Sequence, residues 1–335
     1  MIKRILPLFL MFALVLNGCG SLNKSTPQAP AGTPAVASLA PLGTPAAKYG
    51  GVARPLIRDF TNFGPRVAGS DSEKKAAQYI ATVFTMLGYT PDTQAFTANA
   101  GSNSVTSANV MAVKNGASTR EIIVGAHYDS TAAGPGADDN ASGVSVMLEV
   151  AKLVKAATTP YTIRFVAFGA EESGLLGSTA YLNQMSQNDL QNVVVMIDLD
   201  SLVAGDIAYV YGNEGQSDAR DWALGWALGN GYDLQTIKNV DFSNPVNGIG
   251  SSDFAPFQAA GIPYAYFNTT NWTLGDKKGS TQVDPRYGEN GVIRNTKYDT
   301  LTYLDATFPG RVDQHLNLFI SVLYNLLTQY EQPAQ

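Results

Sequence analysis

Short, continuous apolar runs recur along the chain and alternate with segments of helical periodicity. Strands are predicted over residues 105–114, 121–126, 161–168, 193–199 and 264–267. The spacing of apolar residues predicts helices over 72–87, 142–156, 174–185, 222–228, 254–260 and 312–330. Fully apolar strands that alternate with helices are typical of a parallel sheet covered on both faces. The pattern therefore predicts an α/β fold with one mostly parallel central sheet, flanked by helices on both faces.

The first 18 residues have the features of a secretory signal peptide. Lys3 and Arg4 precede an apolar run over residues 5–16, which is too short to span a bilayer. Cys19, the single cysteine of the chain, directly follows Gly18, and this arrangement resembles the bacterial lipoprotein signal. The resemblance implies cleavage before Cys19 and lipidation of that residue, which would anchor the protein to a membrane in the extracytoplasmic cell envelope. The alternative is an ordinary secretory signal with an incidental cysteine.

A second compositional region follows the signal. Residues 19–50 are rich in Pro, Ala, Thr, Ser and Gly and show no periodicity, which is typical of an extended tether. The remaining residues, 51–335, contain no further low-complexity linker and no internal repeat. They are therefore predicted to form one folded domain.

The charge balance and the rare residue types exclude several function classes. With 22 Lys+Arg against 28 Asp+Glu, the formal net charge is −6, which argues against a nucleic-acid partner. The single cysteine excludes an intrachain disulfide, and its position excludes a thiolate metal cluster or a cysteine nucleophile in the folded part. His127 and His315 are the two histidines, so any metal site must consist mostly of carboxylates.

Acidic and imidazole side chains follow three of the predicted strands, at the point where each strand ends. They belong to His127, Asp129, Glu171, Glu172 and Asp200. The carboxyl ends of parallel strands meet at one edge of the sheet, where ligands bind. Carboxylates at close range repel one another unless a cation neutralises them, and carboxylates with imidazole suit zinc, with manganese or cobalt as alternatives. Although each residue alone has an ordinary structural explanation, their recurrence at successive strand ends predicts a divalent-metal site.

The local sequence suggests a different role for each acidic residue. Asp139 lies in a loop flanked by small residues, just ahead of a predicted helix, and its two oxygens can bridge two cations. Glu171 and Glu172 are consecutive in an irregular turn and need not point the same way. One of them can bind metal while the other acts as general base on a metal-bound water. Asp129, two residues after His127, is placed to orient the imidazole.

Three motifs resemble those of the di-zinc exopeptidases of metallopeptidase family 28. They are GAHYDS at 125–130, GADDNASG at 136–143 and FGAEESGLLGS at 168–178. Shorter matches, GPR at 64–66 and SD at 252–253, extend the resemblance over roughly residues 55–330. The resemblance implies that 51–335 is a zinc exopeptidase-like catalytic domain. Its expected activity is hydrolysis of a peptide substrate by a metal-activated water, as an aminopeptidase or a related exopeptidase.

The resemblance also implies a role for each site residue. The implied zinc ligands are His127 and Asp200 on one ion, Glu172 on the other, and Asp139 bridging the two. Glu171 is the implied general base, which takes a proton from the metal-bound water and later protonates the leaving amine. We assign the ligand to Asp200 rather than Asp198, because the family's ligand follows two residues after a polar residue and Asp200 is nearer the strand end.

One position departs from the family pattern. The family places a histidine four residues before an Asp-Thr pair, and this chain has Asn295 before Asp299 and Thr300. An amide oxygen is a weaker zinc ligand than imidazole, so one zinc is expected to bind tightly and the second weakly or not at all. His315, in the last predicted helix, is not expected to replace the missing ligand.

Three functions remain open from the sequence. The first is the zinc exopeptidase. The second is a degenerate member that binds a peptide or another partner without turnover, which the loss of histidine at position 295 suggests. The third, a glutaminyl cyclase, is less favoured, because its single zinc would need the equivalents of Asp139, Glu172 and the missing histidine. Residues 264–268 and 269–294 are expected to line a substrate side-chain pocket.

Overall fold

The computed structural model describes residues 48–240, 242, 251–275 and 277–332, all of which belong to one compact unit. The predicted signal peptide, Cys19 and most of the predicted tether lie outside the described residues. Within the described part of the chain, no helix is both long and apolar enough to cross a membrane.

Strands and helices alternate along the described chain. The strands are β1 (Asp92–Ala100), β2 (Asn103–Lys114), β3 (Ser118–His127), β4 (Tyr161–Phe168), β5 (Val193–Leu199), β6 (Ile207–Tyr211), β7 (Leu234–Gln235) and β8 (Tyr264–Thr270). The helices are α1 (Ala53–Thr61), α2 (Asp71–Met86), α3 (Gly143–Val154), α4 (Leu176–Gln184), α5 (Gln187–Asn192), α6 (Asp218–Gly229), α7 (Phe254–Ala259), α8 (Leu301–Thr307) and α9 (Arg311–Gln329). An irregular turn, Ala137–Ser142, precedes α3.

The strands form one sheet in the order β1-β2-β4-β3-β5-β8-β6-β7. The four central strands, β4, β3, β5 and β8, run parallel to one another. At one edge β2 is antiparallel to β4 and β1 to β2, and at the other edge β6 is antiparallel to β8. The predicted α/β fold with a mostly parallel sheet is thus confirmed, and the antiparallel strands lie toward its edges.

Alternate residues of the central strands pack into two cores, one on each face of the sheet. In β3, Ile122 and Val124 join the core that contains α1, α2, α3, α6 and α9, whereas Ile123 joins the core that contains α4 and α7. All three side chains are at most 1% exposed. Burial on both faces explains why the central strands are largely apolar, as the sequence indicates.

Several elements were not predicted. In β1 every residue is exposed or half-buried, and the strand holds its place by pairing with β2 along its whole length. Helix α1 has no side-chain cap of its own. Instead, the buried carboxylate of Glu149 in α3 accepts hydrogen bonds from the amides of Gly50, Val52 and Ala53. Contacts this distant in sequence leave no local signal.

Residues 48–50, which the sequence assigned to the tether, are bound to the folded unit. The amides of Lys48 and Tyr49 donate hydrogen bonds of 2.7 and 3.1 Å to Oδ1 of Asn317 in α9. The folded unit therefore includes these residues, and the predicted boundary at residue 51 is slightly too late.

A buried carboxyl group joins α2 to β2. Glu73, in the first turn of α2, is 1% exposed. It accepts hydrogen bonds of 2.5 Å from the amide of Gly69 and from Oγ of Ser107 in β2. Burial raises the pKa of Glu73 to about 7, although both hydrogen bonds act in the opposite direction.

This raised pKa predicts a pH-dependent stability. The unfolded chain releases the Glu73 proton near pH 4.5 and the folded chain near pH 7, so the folded state binds more protons between these values. We expect this group to lower the free energy of unfolding by about 3 kcal/mol as pH rises through that window. Urea unfolding at pH 4.5 and at pH 7.5 should show a smaller pH difference for Glu73→Gln than for the wild type. Equal pH differences in the two proteins would contradict this account.

Candidate active site

Three predicted metal ligands meet at the carboxyl edge of the sheet. His127 is the last residue of β3, Asp200 directly follows β5, and Asp139 lies in the turn before α3. Nε2 of His127 is 3.1 Å from Oδ1 of Asp139 and 3.6 Å from Oδ1 of Asp200. One ligand atom from each residue lies within 4.8 Å of the other two. The structure therefore brings this trio together as the sequence predicts.

The geometry of the trio fits a zinc ion. Zinc takes nitrogen and oxygen ligands at about 2.0–2.2 Å, so two ligand atoms on a tetrahedral ion lie about 3.3–3.6 Å apart. The separations of 3.1 and 3.6 Å from His127 Nε2 are close to that range. Three protein ligands leave a fourth position for water or substrate, as in catalytic zinc sites.

The electrostatics of the trio also favour a cation. Burial lowers the pKa of His127, but Glu171, Asp129, Asp139 and Asp200 together raise it well above its usual value. Burial raises the pKa of Asp139, with a further contribution from Asp200. The site is thus strongly negative, and a bound cation would relieve the repulsion among its carboxylates.

Two glycines allow the Asp139 turn to pack against the end of β5. Gly136 has a φ of 61°, which favours glycine, and a Cβ atom there would collide with the carbonyl oxygen of Asp139. A Cβ atom on Gly143 would collide with the carbonyl oxygen of Leu199. Asn140 completes this packing, because its Nδ2 donates to the same Leu199 oxygen at 2.8 Å. The turn is thereby held next to the strand that ends in Asp200.

Asp129 supports the two glutamates that follow β4. Its Oδ1 and Oδ2 accept hydrogen bonds of 3.0 and 3.1 Å from the amides of Glu171 and Glu172. Its Oδ1 also lies 3.4 Å from Nδ1 of His127, but this nitrogen has no hydrogen-bond partner among the described residues. That Asp129 orients the imidazole stays a prediction, and its position beside the ring is compatible with it; its hydrogen bonds to the two amides also hold the glutamate turn.

Glu171 faces the metal-binding trio. Its Oε2 is 4.0 Å from Nε2 of His127, and its side chain is 11% exposed. Burial raises the pKa of Glu171 well above its usual value, while His127 acts in the opposite direction. A carboxylate beside a metal site with an upward-shifted pKa suits a residue that both accepts and returns a proton.

Asn295 lies where the sequence predicts, between the carboxylates expected to hold a second ion. Its Nδ2 donates to Oδ2 of Asp139 at 3.1 Å and to Oε2 of Glu172 at 3.5 Å. The other Glu172 oxygen, Oε1, is buried without a hydrogen-bond partner in the described structure. The amide group thus faces these carboxylates with hydrogen-bond donors where the family has an imidazole ligand.

His315 takes no part in the site. It is buried in α9, where its ring packs against Phe319 with centroids 6.3 Å apart. Burial lowers the pKa of His315 to about 4, so the side chain is neutral at physiological pH. The expectation that His315 does not replace the missing ligand agrees with this position.

Two buried aspartates, for which the sequence predicts no role, hold Asp139 in place. Asp299 accepts hydrogen bonds of 2.6 and 3.1 Å from the amides of Asp138 and Asp139. Asp138 in turn accepts hydrogen bonds from the amides of Val203 and Ala204, 2.7 and 2.9 Å long. The sequence signal for this support is the Asp-Thr pair at 299–300, after Asn295.

Arg66 stabilises the loop that leads from His127 to Asp139. It is fully buried, and its guanidinium donates to the carbonyl oxygens of Tyr128, Pro135 and Gly136. Burial lowers the pKa of Arg66 to about 10, so it stays charged at neutral pH. The GPR motif at 64–66 thus has a structural role in shaping the site.

A cavity of about 270 Å³ is lined by the two glutamates, the metal-binding trio and Asn295. Its remaining lining residues are Ser201, Ser251, Tyr266 and Arg294. A cavity of this size beside a metal site can hold one or two residues of a peptide next to a reacting carbonyl.

The sequence is similar to those of known peptidases and related proteins. The family model of peptidase family M28 matches residues 109–319. The alkaline phosphatase isozyme conversion protein of Escherichia coli K12 is 30% identical over 88% of this chain and 94% of its own length. Aminopeptidase YwaD of Bacillus subtilis 168 is 32% identical over 68% of this chain, which spans only 46% of that relative's length.

Solved structures show the same fold. BSAP, a zinc aminopeptidase from Bacillus subtilis, matches 83% of this chain and 95% of its own with a TM-score of 0.66 at 22% identity. A glutaminyl cyclase from Porphyromonas gingivalis matches 82% of this chain and 96% of its own with a TM-score of 0.62 at 20% identity. The fold alone therefore does not separate these two activities.

Proposed function

The chain belongs to peptidase family M28, and on that premise we propose that it is a zinc aminopeptidase that removes N-terminal residues from peptides. The observation that supports this most strongly is the convergence of His127, Asp139 and Asp200, with Glu171 4.0 Å from the imidazole. Metal-assisted peptide hydrolysis requires a cation, a water on that cation and a carboxylate base; these residues could hold the first two, and Glu171 would be the third.

Each residue of the site has its own role in the proposed hydrolysis. A zinc ion held by His127, Asp139 and Asp200 would acidify a water and polarise the scissile carbonyl. Glu171 accepts the proton of the attacking water and returns it to the leaving amine. Asp129 fixes the backbone of the glutamate turn through two hydrogen bonds, and so sets the position from which Glu171 reaches the water.

The degenerate alternative rests on Asn295. If two zinc ions were needed for turnover, the amide at this position would leave the protein able to bind a peptide but not to cleave it. A cyclase is a weaker candidate, since its single zinc would depend on Asp139, Glu172 and position 295, where this chain has the poorest ligand.

Removal of zinc tests the proposal. We expect the purified protein to release the N-terminal residue from aminoacyl p-nitroanilides, to lose this activity after dialysis against a chelator, and to regain it when zinc is added. Peptides with an acetylated N-terminus should not be cleaved. Activity that survives chelation, or no activity at any zinc concentration, would contradict the proposal, and pyroglutamate formed from an N-terminal glutamine peptide would favour the cyclase.

We further propose that the protein is lipid-anchored at Cys19 on the extracytoplasmic side of a membrane. The support is the sequence around Gly18 and Cys19 alone, which resembles a lipoprotein signal. Radiolabelled palmitate should enter the wild type and not the Cys19→Ser variant. Equal labelling of both proteins would exclude Cys19 as the lipidated residue.

A further inference from the structure

The cavity at the active site has two chemically distinct parts. One part contains the acidic residues and His127, whose negative charge suits a cation. The other lining residues contain hydrogen-bond donors and no carboxylate: Ser201, Ser251, Tyr266, Arg294 and Asn295. Of these, Arg294 has the only formal charge, and it is half-buried.

The backbone of Arg294 is firmly held. Its amide donates a 2.8 Å hydrogen bond to Oε1 of Gln282, which is fully buried. Nε2 of Gln282 donates at 2.7 Å to Asp138, the same residue that supports Asp139. The arginine is therefore fixed relative to the metal-binding turn and does not belong to a loosely attached surface loop.

Most N–H donors of the Arg294 guanidinium have no hydrogen-bond partner among the described residues. Its single hydrogen bond within the described chain runs from Nη2 to the carbonyl oxygen of Ser280, at 3.3 Å. It forms no ion pair within 4.0 Å of any described carboxylate, unlike Arg54, Arg164 and Arg311, which do. A guanidinium has five N–H donors, and a half-buried one without a counter-ion is suited to an anionic ligand.

The charge of Arg294 acts on both parts of the cavity. Burial raises the pKa of Tyr266 and of Tyr211 well above their usual values. The positive charge of Arg294 lowers both pKa values in part. It likewise favours the ionised forms of Asp139 and Asp200. Arg294 and Tyr266 line the same cavity as the metal-binding trio, and the part of a substrate adjacent to the scissile bond would lie in this cavity.

We propose that Arg294 binds a carboxylate of the substrate and gives this enzyme a preference for peptides with a negative charge next to the scissile bond. This inference rests on the proposed peptidase function and adds a substrate class to it. The carboxylate has two sources, the α-carboxylate of a dipeptide or the side chain of an acidic residue. Both would form charge-assisted, bidentate hydrogen bonds with the guanidinium.

Matched substrate pairs test the proposal on the full-length protein. Each pair differs by one charge: Leu-Ala against Leu-Ala-amide, Glu-Ala-amide against Gln-Ala-amide, and Leu-Glu-amide against Leu-Gln-amide. For at least one pair, Arg294→Met should lower the ratio of kcat/KM for the charged to the neutral member by about 10- to 100-fold. Arg294→Lys should retain part of that ratio, because it keeps the charge and loses the fork geometry.

Arg286→Met is the matched control, because Arg286 lies in the same segment but its side chain is 78% exposed and pairs with Asp284. This variant should keep the wild-type ratio for every pair. The pair that responds to Arg294→Met identifies the source of the carboxylate. An equal loss for charged and neutral members in all pairs, or no change in any ratio, would overturn the proposal.

A binding measurement separates this inference from the proposed function. Calorimetry on the zinc-loaded Glu171→Gln protein compares the affinities of the charged and neutral members without turnover. When Arg294→Met is added, the ratio of the affinities for the charged and the neutral member should fall by the same 10- to 100-fold factor. If the wild type hydrolyses nothing but this preference is present and sensitive to Arg294, the hydrolase assignment fails and the carboxylate site stands. If no preference exists, the carboxylate site is excluded whatever the activity.

Discussion

Replacing Glu171 by glutamine is expected to lower kcat for aminoacyl p-nitroanilides by about 10²- to 10⁴-fold, the usual contribution of a general acid–base residue. The glutamine is close in size to glutamate, and the hydrogen bond to Asp129 comes from the backbone amide of residue 171. The turn should therefore keep its shape. The variant loses only the carboxylate that accepts the proton of the attacking water.

Zinc content distinguishes a lost base from a lost metal. Glu171 is not among the three residues that form the metal-binding trio, so Glu171→Gln should hold as much zinc as the wild type. Glu289→Gln is a matched control on an exposed residue and should behave as the wild type in both measurements. A Glu171→Gln protein with full activity would contradict the assigned role. A wild type that binds zinc yet is as inactive as the variant would instead support the degenerate alternative.

A substitution at Asn295 is expected to change the number of zinc ions that the protein binds. Asn295→His is expected to raise the zinc content from about one to about two ions per chain, because imidazole is the ligand that Asp139 and Glu172 lack. The amide of Asn295 now donates to both of these carboxylates. Since even outer-shell partners change metal affinity by about 10- to 100-fold, a direct ligand should shift the affinity of the second ion at least as much.

Equilibrium dialysis against buffered zinc measures this change, and Asn290→His supplies the control. Asn290 has a φ of 54° and Asn295 a φ of 58°, so both substitutions place histidine in the same left-handed backbone conformation. The control carries the same backbone cost, about 1–2 kcal/mol at most, and Asn290 does not line the cavity that contains Asp139 and Glu172. Two tightly bound zinc ions in the wild type, or one in Asn295→His, would contradict the account.

The central part of the fold is readable from the sequence because its signals are local. The strands β3, β4 and β5 contain mostly apolar runs, since each is covered on both faces, and the polar residues that follow them mark where they end. Parallel strands that end at one edge bring His127, Glu171 and Asp200 together without any further information.

Other features depend on contacts distant in sequence. The start of α1 depends on Glu149, which lies almost one hundred positions later, and the orientation of Asp139 depends on Asp299. Glu149 is not marked by its neighbours in the chain, and Asp299 is marked only by the Asp-Thr pair that it forms with Thr300. The hydrogen bonds of Asp129 to the amides of Glu171 and Glu172 were not predicted for a similar reason, because the backbone path of the glutamate turn cannot be read from residue types.

Anomalous diffraction at the zinc absorption edge, from crystals of zinc-loaded protein, tests the central claim most directly. The account predicts a strong peak about 2.0–2.2 Å from Nε2 of His127 and from a carboxylate oxygen of each of Asp139 and Asp200. It also predicts a weaker peak, or none, between Glu172 and Asn295. The account would be contradicted by zinc bound elsewhere with this trio empty, or by a stronger peak beside Asn295 than beside His127.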